Sequence, residues 1–420
     1  MTAPTDPAVS GAEVDLTGPE VLRDPYGFFG RLREETPIAR GHFMNTGSLW
    51  IVTRYDDVRM VLNDPRFVNN SLSVPGITTN IKVQRLQALG VAEELLPYVS
   101  ETILDVDPPD HTRLRKLASR ALTVRRVNAL RPRVEALTAE LLDALPEKAG
   151  GGVVDLVEGF AYPLPITVIC ELVGIPPADR GRWRTWTRAI VTMAPEKSNP
   201  AFKEAVAYVR ELIALRRASL TGDLLSELIR TRDEDGDRLG DSELIGLVMS
   251  LVFAGHDSTT HLIANAVATL LTHPDQLALL RADPGLMNGL VHEAQRWCGP
   301  ILYTRQRYVT EDLTLCGVRI ARGDIVLPLF ASANNDPRRF EDPDRFDITR
   351  ETPGRGEAHV GFGFGGHYCL GAALARQEVE VAIGALLQRH PGLALGVPED
   401  ELPWTTLSNV RRLQRLPVTL

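Results

Sequence analysis

Cysteine is scarce. The 420 residues hold four, Cys170, Cys298, Cys316 and Cys369, too far apart for a CxxC or zinc-ligand spacing. That excludes a disulfide scaffold and a zinc ribbon and fits a reducing cytosol. Long apolar runs are missing too. The longest, Leu244 to Gly255, is twelve residues, against the roughly 20 needed to cross a bilayer, so no membrane anchor is expected. The first twenty residues lack the charged and apolar regions of a signal peptide. There is no basic excess: 46 Lys and Arg stand against 54 Asp and Glu, a net charge of -8, which argues against nucleic acid as the main partner. With 44% hydrophobic and 24% charged residues, the composition is that of a folded globular protein.

Length alone suggests roughly two to three domains. However, Pro clusters and charge runs are scattered and no linker or repeat is visible, so the expectation is a polar, flexible arm over residues 1–20 and one unit over 21–420. Order is expected from about Asp24. A strand is expected at Leu49–Thr53, a short helix over Tyr55–Leu62 and a long mixed loop over Val68–Pro109. The helical pattern from His111 to Leu145 is interrupted by Pro132, and further helical pieces cover Pro163–Leu172 and Ala201–Leu220. Asp241–Thr272 reads as one buried helix, apolar nearly all round in its first half. A helix after Pro284, strands and a hairpin within Ile301–Leu329 and a last helix over Leu370–His390 complete a mainly α chain with a minor β region.

Chemistry concentrates in Phe362-Gly363-Phe364-Gly365-Gly366-His367-Tyr368-Cys369-Leu370-Gly371. The glycines permit a tight backbone, and Cys369 sits where the chain enters a helix, so amides and the helix dipole can stabilise a thiolate. Two other readings stand beside this: a small buried cysteine, or a dinucleotide motif, since Gly361, Gly363 and Gly366 fit GxGxxG. The second lacks the strand that such a motif needs before its glycines. Glu293 and Arg296, three apart, share a helix face and can pair. Ala254-Gly255-His256-Asp257-Ser258-Thr259-Thr260 puts an acid and hydroxyls in the buried helix, which is costly without partners and suggests either a site or a polar stripe. From His111 to Arg133 there are eight Lys or Arg and no acid, by default a solvated face.

The cysteine segment resembles the haem-binding signature of the cytochrome P450 family, matched at every fixed position, and the other motifs follow in that family's order. The resemblance implies a triangular helical fold and haem b ligated by Cys369. Phe362 would be among the cofactor-binding residues, Gly371 would let the porphyrin lie close to the helix, and His111, Arg115, Arg307 (with Arg305 competing) and His367 would meet the propionates. It implies a structural ion network of Glu293, Arg296 and Arg345. It also implies a groove in which Ala254 and Gly255 give room and Asp257 with Ser258 or Thr259 relays protons. The family usually has Thr where Ser258 stands, which leaves open which hydroxyl orders the relay. The activity implied is monooxygenation with O₂ and two electrons from a ferredoxin and its reductase, with Arg113 and Arg120 attracting the donor. Pocket positions would be Asn70–Leu104, the segment around Met193, Phe253, Ala254, Ile301, Leu302 and Leu407–Asn409 including Ser408. These are mostly apolar without an obvious charged anchor, so a sizeable apolar substrate (macrolide, terpenoid or steroid-like) is expected. A haem-binding sensor or carrier and, more remotely, a dinucleotide-dependent dehydrogenase are the rival functions.

Overall fold

The computed structural model describes residues 13–43, 47–192, 194–231, 236–351, 357–407 and 409–420. One sheet runs β1 (Val14–Asp15), β2 (Ile38–His42) and β3 (Ser48–Val52), then crosses to β6 (Ile325–Pro328), β5 (Arg307–Val309) and β4 (Phe67–Val68). Within Ile301–Leu329 the expected hairpin pairs Leu313–Leu315 with Val318–Ile320. Its turn places both Cys316 (φ 52°) and Gly317 (φ 81°) in the left-handed region, the geometry of a two-residue connection that matches strand twist. Near the end, β7 (Trp404–Leu407) and β8 (Val410–Leu413) form an antiparallel ribbon.

The N-terminal expectation needs correction. Residues 1–12 lie outside the described residues, but 13–20 are not a loose arm. Val14–Asp15 pairs in parallel with β2, Val14 opposite Gly41, Pro19–Arg23 is helical, and Val14, Leu16 and Val21 are buried. Alternating apolar residues let this short piece add to the sheet edge, a signal hidden by the surrounding Pro and Gly.

The helices that position the site are α1 (Ile81–Ala88), α2 (Asp110–Ala121), α3 (Val124–Ala149), α4 (Asp241–Thr272), α5 (Met287–Trp297) and α6 (Ala372–Arg389). The break between α2 and α3 falls at Leu122–Thr123 rather than at Pro132, which stays inside α3. Thr123 decides this by capping α3, its hydroxyl accepting from Arg126 N at 3.2 Å. Helix α4 has the bounds read from the sequence. Its start is fixed by Gly240 N–H donating to the Glu243 carboxylate at 2.8 Å, and it stops at His273 before Pro274. It packs against the helix Pro163–Val173, the helix Pro195–Ala218 and α6, so its all-round apolar surface is the centre of the largest core. Two smaller cores lie about the sheet. No described helix is long and apolar enough to cross a membrane.

Candidate active site

The cysteine loop is closed by its own backbone: Gly363 N donates to Val360 O and Cys369 N to Phe362 O, both at 2.8 Å. Gly363 (φ 79°) and Gly365 (φ 70°) take left-handed conformations. A Cβ on Gly365 would also lie 2.8 Å from Asn63 Oδ1 and 3.0 Å from Leu62 O, so Gly365→Ala is expected to cost about 1–3 kcal/mol, read as a lowered thermal midpoint. Behind the loop Arg376 sits over the Phe362 ring at 5.6 Å and donates to Glu357, which also accepts from the Tyr368 hydroxyl.

Cys369 is solvent-accessible, yet protein packs densely enough around it that burial is the main influence on its thiol. Such a residue lines a hollow. Burial pushes the thiol pKa up, while the Gly371 amide and the charges of Arg115 and Arg376 pull it down, and the outcome is a rise. The loop alone therefore does not favour the thiolate, contrary to the expectation from its helix-entry position; a bound metal ion would supply the missing positive charge. Gly371 sits beside the sulfur, where a Cβ would be 4.0 Å from Sγ.

The basic residues expected from three separate segments converge. His367 stacks on His111 with ring centroids 3.8 Å apart. Buried Arg307 donates to Asn69 Oδ1, and Asn69 Nδ2 meets His367 Nε2 at 2.8 Å. Asp107 ties Asn69 down, accepting from its backbone N at 2.7 Å. Arg115 acts electrostatically on both Cys369 and His367. Burial and mutual repulsion push His367 down to about 3, and burial pushes Arg307 down to about 10. A half-buried group of two arginines and two histidines opposed by one nearby acid, Asp107, is electrostatically incomplete, and carboxylates would complete it. Asn69, which organises the group, was invisible in the sequence because an asparagine in a loop has many local uses.

On α4, Ala254 is exposed and Asp257 and Ser258 are half-exposed within an otherwise buried helix. Ser258 Oγ donates to Ala254 O at 2.9 Å and Thr259 Oγ1 to Gly255 O at 3.3 Å, so these two hydroxyls are satisfied without breaking the helix, while the buried Thr260 hydroxyl has no hydrogen-bond partner. Asp257 Oδ1 lies 3.5 Å from His261 Nε2 and 4.0 Å from Arg412 Nη1 of β8. Burial raises its pKa, but His261, His256 and Arg412 outweigh that and hold it below the usual carboxylate value. The expected role of Gly255 in giving room changes. A Cβ there would come 3.1 Å from Ile169, so this glycine lets α4 approach the helix Pro163–Val173.

The ion network is present with one member exchanged. Glu293 accepts from Arg296 at 2.8 and 2.7 Å, from Asp347 N at 2.9 Å and from Arg350 Nε at 3.2 Å. Arg345 points outward, its side chain 63% exposed, and contributes only its carbonyl, which accepts from Arg296 and Arg350. Arg350 is the third member, the second cation on Glu293.

Three other expectations shift. Arg113 turns inward to Asp237 and Glu243 on the α4 side, which leaves Lys116 and Arg120 among the exposed basics of α2. Leu302 is fully buried in the core beside Phe29 and Leu49, because neighbours in an extended segment face opposite ways and Ile301 takes the other side. Charged groups do occur near the pocket positions: Lys82, Asp105 and Arg305 interact. Phe253 stacks parallel to Phe202 at 6.1 Å, and Ile301 bridges to Val410. Met193 and Ser408 lie outside the described residues.

A thiol on a rigid loop lining a hollow, next to a cationic group short of acids, suits a flat dianionic macrocycle whose metal takes sulfur. The fold and the donor set define a haem-thiolate protein. The family model "Cytochrome P450" matches residues 183–393. The chain is 44% identical over 407 residues to cytochrome P450 monooxygenase PikC of Streptomyces venezuelae, covering 97% of this chain and 93% of that protein. It is 41% identical to 6-deoxyerythronolide B hydroxylase of Saccharopolyspora erythraea, covering 97% and 98%. The structure of the Bacillus subtilis bacillaene polyketide synthase cytochrome P450 PksS superposes with a TM-score of 0.86 at 36% identity, covering 96% of this chain and 98% of that one. The chain belongs to the cytochrome P450 family. It is a haem-thiolate monooxygenase, an oxidoreductase that puts one oxygen atom of O₂ into an organic substrate.

Proposed function

We propose that the chain is one catalytic unit in which Cys369 ligates haem b and His111, Arg115, Arg307 and His367 hold the propionates. The observation that carries this is the accessible Cys369 thiol beside a basic group short of counter-charge. When bound, the haem supplies dioxygen activation and oxygen-atom transfer. The chain's own residues supply the protons. Ser258 shares the accessible side of α4 with Ala254, four residues earlier. Because it gives its own hydrogen to the Ala254 carbonyl, its lone pairs are free to accept, so Ser258 orders the relay; Thr259, buried at 4% exposure, is structural. Asp257 is held ionised and passes protons inward from the His261 and Arg412 side.

Asp257→Asn is expected to leave the haem spectrum and substrate binding intact and to slow turnover by about 10²–10⁴, the usual value of a positioned acid or base. His261 is a positioning residue for Asp257. Since His261 lowers the pKa of that carboxyl, its loss in His261→Gln raises it. The acidic limb of the pH–rate profile then moves to higher pH, and an unmoved limb separates His261 from the relay.

The substrate is read as a bulky, largely apolar molecule of polyketide type. The hydroxylase and polyketide P450 among the relatives support this, as does the aromatic pair Phe202 and Phe253 beside Ala254. Electrons come from a ferredoxin and its reductase in the cytoplasm, the donor meeting the basic residues Lys116 and Arg120. The deciding measurement is the absorption spectrum of the dithionite-reduced protein under carbon monoxide. A strongly red-shifted Soret band is expected; a Soret band without that shift removes Cys369 as the thiolate ligand.

A further inference from the structure

A polar stripe runs along buried α4. Asp257, His261, Asn265 and Thr269 follow one another at four-residue spacing and so share a helix face, although His261, Asn265 and Thr269 are only 6%, 0% and 7% exposed. The strand β8 packs along α4 here. Its Arg412 reaches Asp257, and Asn265 Nδ2 donates to Arg411 O at 3.2 Å and to Cys298 O at 3.0 Å. Two buried atoms of the stripe, His261 Nδ1 and Asn265 Oδ1, have no hydrogen-bond partner, whereas groups that only held the ribbon in place would be paired. The two carbonyls fix the orientation of the Asn265 amide, so its Oδ1 is an acceptor. His261 turns Nε2 to the Asp257 carboxylate, 3.5 Å away, so Nδ1 of the neutral ring is an acceptor too. Water, with two protons to give, suits a pair of acceptors one turn apart.

Beyond Asn265 the stripe meets a cavity of about 850 Å³ lined by Thr269, Thr272, Cys298 and Arg411. Glu35 and Glu399, also in its lining, are exposed, so among the described residues it opens to solvent. Asn265 stands directly behind its wall, holding the carbonyls of Cys298 and Arg411. We propose that this cavity is the enzyme's proton inlet: water enters there, is held between Asn265 Oδ1 and His261 Nδ1, and protonates His261, which passes the proton on Nε2 to Asp257. In each turnover the substrate, O₂, two electrons and two protons give the hydroxylated product and water, so both protons are drawn from solvent. Asn265 and His261 act through Asp257 and are positioning residues. The inlet rests on the Asp257 relay proposed above.

The test runs the haem-loaded protein on 7-ethoxycoumarin by two routes. One uses O₂ with NADPH, a plant-type ferredoxin and its reductase; the other uses hydrogen peroxide, which brings its own two electrons and two protons. Only the first needs the inlet. Asn265→Leu, and Thr272→Trp, which fills the cavity and keeps the Asn265 bonds, are each expected to lower the ratio of the first rate to the second by about tenfold or more, with the carbon monoxide spectrum unchanged. A crystal structure of the loaded wild type is expected to show a water bonded to both His261 Nδ1 and Asn265 Oδ1. An unchanged ratio in both variants, or no water on these two atoms, overturns the inlet. A fall in one folded variant and not in the other separates the cavity from Asn265 and overturns the route. If Asp257→Asn lowers the ratio and neither variant does, the relay stands and the inlet fails; if both variants lower it and Asp257→Asn does not, the inlet stands and Asp257 leaves the relay.

Discussion

Cys369→Ala is expected to abolish the red-shifted Soret band of the reduced carbon monoxide complex and to stop monooxygenation. Loss of an outer-shell partner costs a metal site about 10–100-fold in affinity, and loss of the ligand itself exceeds that. The fold should survive, since Cys369 belongs to none of the three cores, and the loop is closed by the backbone bonds of Gly363 and Cys369. Haem-free Cys369→Ala protein should therefore keep the far-ultraviolet helix signal of the wild type. Loss of both signals together would mean that haem, rather than the loop, organises this end of the molecule.

Glu293→Gln has the larger effect on stability. The Glu293 carboxylate is 3% exposed and holds Arg296, which is 2% exposed, together with Arg350 and the Asp347 amide. Removing one member of a buried, hydrogen-bonded ion set leaves uncompensated charge at a cost of about 3–5 kcal/mol. Against a typical total of about 5–15 kcal/mol, that is enough to deplete the folded protein at growth temperature. The exchange of Arg345 for Arg350 makes a sharper comparison. Arg350→Gln should destabilise by about 1–3 kcal/mol, the value of a hydrogen bond to a charged group, whereas Arg345→Gln should stay within about 0.5 kcal/mol, as surface changes do. Urea midpoints of the two variants check it, and a reversed order would return Arg345 to the network.

What could be read from the sequence was what depends on local order along the chain. The cysteine loop, the bounds of α4, and the pairing of Glu293 with Arg296 all follow from spacing within one turn or one helix. The misses arise where two similar residues compete and only the tertiary path decides. Arg345 and Arg350 are five apart in a loop with a left-handed residue, Asp342 at φ 43°, and which guanidinium turns inward is set by that path. Leu302 and Ile301 are neighbours whose facing depends on the register with the rest of the sheet. His261 lies one turn after Asp257 on α4, a spacing the sequence does show, whereas Asn69 and Arg412 carry no motif at all; they matter because distant segments bring them to Asp107 and Asp257. The same holds for Lys82, Asp105 and Arg305, three unremarkable charges until folding places them together.

The β7–β8 ribbon has a further consequence. Arg412 of β8 reaches Asp257, Val410 bridges Ile301, Arg411 N donates to Pro300 O at 2.7 Å and Leu302 N to Asn409 O at 2.9 Å. Asp257 and the segment 300–302 are thus tied down by a stretch that leaves the ribosome after them and after Cys369. During synthesis the earlier segments emerge first, at about 5–20 residues per second, and for that interval the hollow stands without its last wall. Durable cofactor capture then belongs to the nearly finished polypeptide, and a nascent chain stalled before residue 404 would expose apolar α4 surface to chaperones instead of retaining haem.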